Sequence, residues 1–153
     1  MSGWTGTGTA VVASGGLNNL LTAIGLKLQD SAIWNDVGGR CYLDTADSPD
    51  TPYLVYSIVS GVPDNAFAQI GESVLMQFDL FSARSAGPTE ITTMYADLTA
   101  LLDDCTLTIT GQNCAKFQRQ NLVTMVEDLS ALQDGSNILI HYAIDYEVDY
   151  QAT

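Results

Sequence analysis

Asp145, Glu147 and Asp149 stand at alternate positions in the segment IDYEVDY near the C-terminus. In an extended chain, alternate residues share a face and lie about 7 Å apart. Carboxylates at such a distance can serve as an acid–base pair. With further converging ligands they can hold a metal ion. The ordinary reading is a solvated acidic stripe. Asp44, Asp47 and Asp50 form a second acidic set, spaced by three. A calcium loop of the EF-hand type needs acids at alternate positions, a glycine at the sixth and a glutamate at the twelfth. Counted from Asp44 those places hold Pro49 and Val55, so the pattern fails. His141 is the single histidine and falls on the polar side of the C-terminal segment. One histidine, with no motif around any serine or cysteine, defines no nucleophile–base pair. Gly6-Thr7-Gly8 follows no strand and precedes no lysine, which is not how a phosphate loop is built. The sequence thus leads us to expect no catalytic residue, no cofactor and no metal.

The other chemically distinctive residues point to contacts. Only five bases face eighteen acids. Arg40, Arg84 and Arg119 each fall within or at the edge of a predicted strand. Each can pair with an acid of an adjacent subunit or with one of its own chain. Trp4, a large aromatic in a Gly/Ser/Thr-rich start, is either an anchor for a neighbour or folded back on its own domain. Cys41, Cys105 and Cys114 are odd in number and include no CxxC pair. They read as reduced thiols, with a Cys105–Cys114 bridge across a hairpin left open.

The chain has 153 residues, 46% of them hydrophobic, and a net charge of −13. That is enough for one domain with a real core. The charge excludes a groove that grips nucleic acid, because phosphates would be repelled. No apolar run reaches membrane-span length, so no membrane association is expected. The N-terminus has no basic residue ahead of its short apolar stretch, unlike a signal peptide.

The elements that must position these residues follow from periodicity. Residues 1–16 read as a flexible arm. Leu17, Leu20, Leu21, Ile24 and Leu28 predict a helix over residues 17–34. A short strand over 40–43 is followed by a prolyl hinge over 44–52. Residues 53–60 carry apolar side chains on both faces and read as a strand covered on both sides. Residues 73–84 alternate, with Val74, Met76, Phe78 and Leu80 on one side and Gln77 and Asp79 on the other. Pro88 or Thr89 opens a second helix, with Glu90 in its first turn and Ile91, Tyr95, Leu98, Leu101 and Leu102 as its stripe. Residues 106–110, 115–126 and 138–150 complete a β-rich finish. The last strand is long enough, at roughly 43 Å, to protrude towards a neighbour. The predicted fold is α+β. Residues 17–153 form a single domain, an antiparallel sheet packed by two helices on one face.

Several of these segments resemble the tail-completion and tail-terminator (head–tail joining) family of long-tailed bacteriophages. They are LNNLLTAIGLKLQD, VGGRCYLD, TPYLVYSIVSG and SVLMQFDLFSARSAGPTEITTMYADLTALLDD. The likeness covers about residues 17–104. The loose motifs that carry it are Arg40-Cys41-Tyr42, Pro52-Tyr53, Gln77-Phe78-Asp79 and Phe81-Ser82. The resemblance implies a structural virion protein without enzyme activity. It implies a homo-hexameric ring at the head-proximal end of the tail tube. Its partners would be the tube protein and the head–tail connector or stopper, with DNA passing through the lumen unbound. On that reading some of Asp145, Glu147 and Asp149 face the lumen or a partner ring, and the Asp44–Thr51 loop touches another subunit or another ring. The rivals are a head-side stopper, a tail-tube-like subunit, or a small-molecule-binding or hydrolytic domain using Cys41, His141 or the acidic strand.

Overall fold

The computed structural model of the chain describes residues 8–47, 49–63, 71–107, 109, 115–128 and 138–151. Trp4 and Cys114 lie outside the described residues, as do the turns expected at 111–113 and 134–135. The order is α1 (Gly8–Leu28), α2 (Ala32–Asp36), β1 (Cys41–Leu43), β2 (Tyr53–Pro63), β3 (Gly71–Ala83), a 3-10 turn (Arg84–Ala86), α3 (Pro88–Leu102), β4 (Thr106–Leu107), β5 (Ala115–Asp128) and β6 (Ile138–Gln151).

The predicted first helix is two helices. Leu20, Ile24 and Leu28 recur every fourth residue and are buried, which fixes the inner face of α1. The helix then stops, because Asp30 takes a left-handed conformation with φ of 60°. Aspartate tolerates that region better than most residues. Ser31 restarts the chain as the N-cap of α2, its Oγ accepting from the Trp34 N–H at 3.3 Å. Gly38 and Gly39, both with positive φ, turn the chain into β1. At its other end α1 begins at Gly8, within the stretch expected as an arm.

The six strands form one mixed sheet in the order β1-β2-β3-β6-β5-β4. The expectation of a purely antiparallel sheet is corrected at one place: β1 runs parallel to β2, with Cys41 opposite Leu54. The hinge over 44–52 makes this happen. It carries the chain back before β2 starts, so β1 and β2 are not a hairpin. β6 is central. It pairs with β3 from Ile140 to Gln151 and beyond to Leu139, and with β5 from Ile138 to Asp149. Its expected protruding end is paired with β3, which has 13 residues against its own 14.

The core lies on one sheet face. Leu54, Phe78, Ile144, Tyr146 and Val148 from the strands meet Leu20, Ile24, Ile33, Ile91 and Leu98 from the helices. Gly87, at φ 81°, lets Pro88 take the first position of α3. Ser82, fully buried, donates to Glu90 Oε1 at 2.5 Å and ties β3 to the first turn of α3.

Candidate functional site

Alternation along β6 decides which side chains reach the second sheet face. Ile144, Tyr146, Val148 and Tyr150 are buried in the core, so Asp145, Glu147 and Asp149 project from the opposite face. Register supplies their neighbours. Asn121 of β5 lies opposite Asp145, Gln118 opposite Glu147 and Lys116 opposite Asp149. From β3, Gln77, Leu75 and Ser73 take the corresponding places. The predicted acidic stripe is thus real as a row across a sheet face, with one lysine at its end. Burial and the nearby Asp79 raise the pKa of Asp145.

Next to the stripe the same face carries a polar cluster that the sequence could not assemble. His141 Nε2 lies 2.7 Å from Asp79 Oδ1, and Gln77 Nε2 donates to that same oxygen at 2.8 Å. His141 Nδ1 stands 3.0 Å from Glu127 Oε2, without hydrogen-bond alignment. The Asp79 and His141 side chains are each 12% exposed. An aromatic row shields them. Phe81 stacks on His141 at 4.2 Å between centroids, Tyr53 stacks on Phe81 at 4.6 Å, and Tyr42 meets Tyr53 edge-on. Burial, with the Glu127 charge, raises the pKa of Tyr53. The cluster fastens β3, β6 and β5 together. Among the described residues the polar partners in the cluster are Asp79, Gln77 and Glu127, none of them a serine or cysteine nucleophile. Among the described residues no three His, Cys, Asp or Glu side chains converge as metal ligands.

The arginines divide. Arg119 is engaged within the chain: its Nη2 lies 3.0 Å from Asp103 Oδ2, its Nη1 donates to the Tyr95 hydroxyl, and its guanidinium sits 5.7 Å from the Tyr95 ring centre. Asp103, just past α3, also accepts from the buried Tyr146 hydroxyl at 2.7 Å. Arg40 Nε donates to the Pro52 carbonyl at 3.0 Å and pins the far end of the hinge. Arg84 is exposed on the 3-10 turn after β3. In the hinge Asp44, Asp47 and Asp50 are all exposed, and Asp44 holds a left-handed φ of 67° while its N–H donates to Tyr56 O.

One other feature escaped the sequence. Asp36 of α2 meets Asp97 of α3, and burial together with that second carboxyl raises the Asp36 pKa to about 6. The thiols are sequestered: burial pushes Cys41 up to about 12 and raises Cys105, and both are free. No periodicity announces a pair contributed by two helices. Among the described residues no helix is long and apolar enough to cross a membrane.

Comparison with known proteins agrees with this architecture. A family described as tail completion protein gp17 matches residues 25–136, most of the chain. The chain belongs to that family, and with it to the structural proteins of the bacteriophage tail. A chain from the virion of a native gene transfer agent particle has the same fold, with a TM-score of 0.64 and 12% identity. That likeness covers 87% of this chain and 95% of the other. A second solved chain aligns with a TM-score of 0.54 and 12% identity, covering 90% of this chain and 95% of its own. No curated protein sequence matches.

Proposed function

We propose that this protein forms a six-fold ring at the head-proximal end of the tail tube. There it stops tube growth and joins the tail to the head's connector, with DNA passing through the lumen. The observation that carries the reading is the acidic sheet face. Asp145, Glu147 and Asp149 stand in a row on it, in a tail-completion family member whose net charge is −13. Turned inward in a ring, such a face repels the phosphate backbone and keeps DNA from sticking as it passes. The Asp44–Thr51 hinge, with Asp44, Asp47 and Asp50 exposed and its far end pinned by Arg40, then presents a surface to the adjoining ring, and Arg84 lies at the rim. The partners are further copies of this chain, the tube protein and the connector or stopper.

The test is electron microscopy of a lysate of the source phage with this gene deleted. Overlong or unattached tails beside DNA-filled heads are the expected result. Normal, joined and infectious particles would refute the reading.

A further inference from the structure

Six of the eight large apolar side chains exposed among the described residues lie on strands at the two ends of the sheet. Leu43 and Val59 belong to the β1–β2 end. Leu122, Val123, Met125 and Val126 belong to β5. Both ends also have backbone to offer. Among the described residues β4 stands opposite only Ala115 and Lys116, so residues 118–127 have β6 on one side alone. At the other end, among the described residues, β1 covers only Leu54, Val55 and Tyr56, so residues 57–63 have β3 on one side alone, with a register irregularity between Ile58 and Ser60 and with Pro63 contributing a carbonyl but no N–H. A row of open N–H and C=O groups with apolar side chains beside it is a template for another strand.

β5 has few of the usual safeguards, a register irregularity between Arg119 and Asn121 being one. Residues 118–127 contain no proline and no lysine. Their two charges are spoken for, since Arg119 turns to Asp103 and Glu127 to His141. Direction is also settled by topology. β2, β3, β6 and β5 alternate, so β5 runs opposite to β2. A second copy set beside β5 in the same orientation therefore presents its β2 edge antiparallel to it. A two-fold pairing of β5 with β5 would bury one apolar edge and leave Leu43 and Val59 bare.

We infer that residues 118–127 of one copy pair antiparallel with residues 57–63 of the next, head to tail. Using two different edges, this contact repeats until it closes. The sheets then join into one wall whose faces keep their sense from copy to copy. This inference deepens the ring reading above and rests on it.

Three single variants of the full chain test it, with rings counted by negative-stain electron microscopy and sedimentation. Val126→Glu and Val59→Glu place a charge on opposite edges, at side chains 63% and 53% exposed. Leu26→Glu places one on α1, at a side chain 64% exposed and away from both edges. The first two should lower ring yield roughly tenfold or more, and L26E should match wild type. Mixing V126E with V59E should give dimers through the one intact edge of each, and no rings. Should V126E fail to show the wild-type circular dichroism spectrum, Val123→Lys replaces it. Rings from wild type, V126E and V59E alike would overturn the edge pairing and leave the ring reading standing. Loss in V126E with normal rings in V59E would also overturn it, since β5 would then meet a surface of the next copy other than the β2 edge. No closed ring from wild type, alone or on tail tubes, would sink both.

Discussion

Tyr146→Phe isolates one hydrogen bond in the middle of the sheet. The Tyr146 ring is fully buried, edge-on to Phe78, and its hydroxyl donates to Asp103 Oδ1 at 2.7 Å. Phenylalanine keeps the ring packing and removes only the donor. Hydrogen bonds to a charged acceptor contribute about 1.5–3 kcal/mol. Arg119 stays on the other oxygen of Asp103, so the carboxylate is not abandoned and the lower part of that range applies, about 1.5–2 kcal/mol. For a domain of this size that is a fall in Tm of roughly 3–8 °C. Urea denaturation followed by circular dichroism measures it directly. The pH profile adds an independent check. Burial, then the bond to Asp103, raises the pKa of Tyr146. A raised tyrosine pKa means stability that is complete below about pH 10 and lost as pH rises beyond it. Wild type should therefore approach Y146F in alkali. A difference below about 0.5 kcal/mol at pH 7, or one unchanged into alkali, would refute the proposed bond.

Asp97→Asn should stabilise the protein near neutral pH. The raised Asp36 pKa reflects burial first and the Asp97 carboxyl second, a cost that is absent below the unfolded pKa of 3.8 and complete above about pH 6, and the substitution removes the Asp97 part. Solvent screening keeps the gain under about 1 kcal/mol, and thermal melts at pH 7.5 and pH 3.5 should show it in the first alone. His141→Ala strips Asp79 and Glu127 of their shared partner and should cost about 2–4 kcal/mol, read by urea denaturation. Arg40→Ala should free the hinge, costing about 1 kcal/mol and speeding limited proteolysis within residues 44–51 while the strands stay protected.

Periodicity alone determined most elements of this protein. The Leu20–Ile24–Leu28 spacing, the alternation of Val74, Met76, Phe78 and Leu80, and that of β6 each name a buried face, because side-chain direction is a local property of the backbone. The acidic row followed in the same way from residues two apart. The tail-completion family was legible too, from local segments between the first helix and α3. What periodicity could not supply was partnership. Asp79 was visible as a polar residue on β3, and His141 as one on β6, but their meeting depends on a register set by residues 62 positions apart. The break between α1 and α2 hides in Asp30 and Ser31, whose apolar neighbours continue the helical pattern across it. β1 looked like any short strand, and its parallel pairing is a consequence of where the hinge returns the chain. Likewise Leu122, Val123, Met125 and Val126 read as ordinary strand residues. Only the strand order, which puts β5 beside β6 and leaves its other edge open, turns them into a surface. Local sequence fixes which way a side chain points, and tertiary structure decides what stands there to meet it.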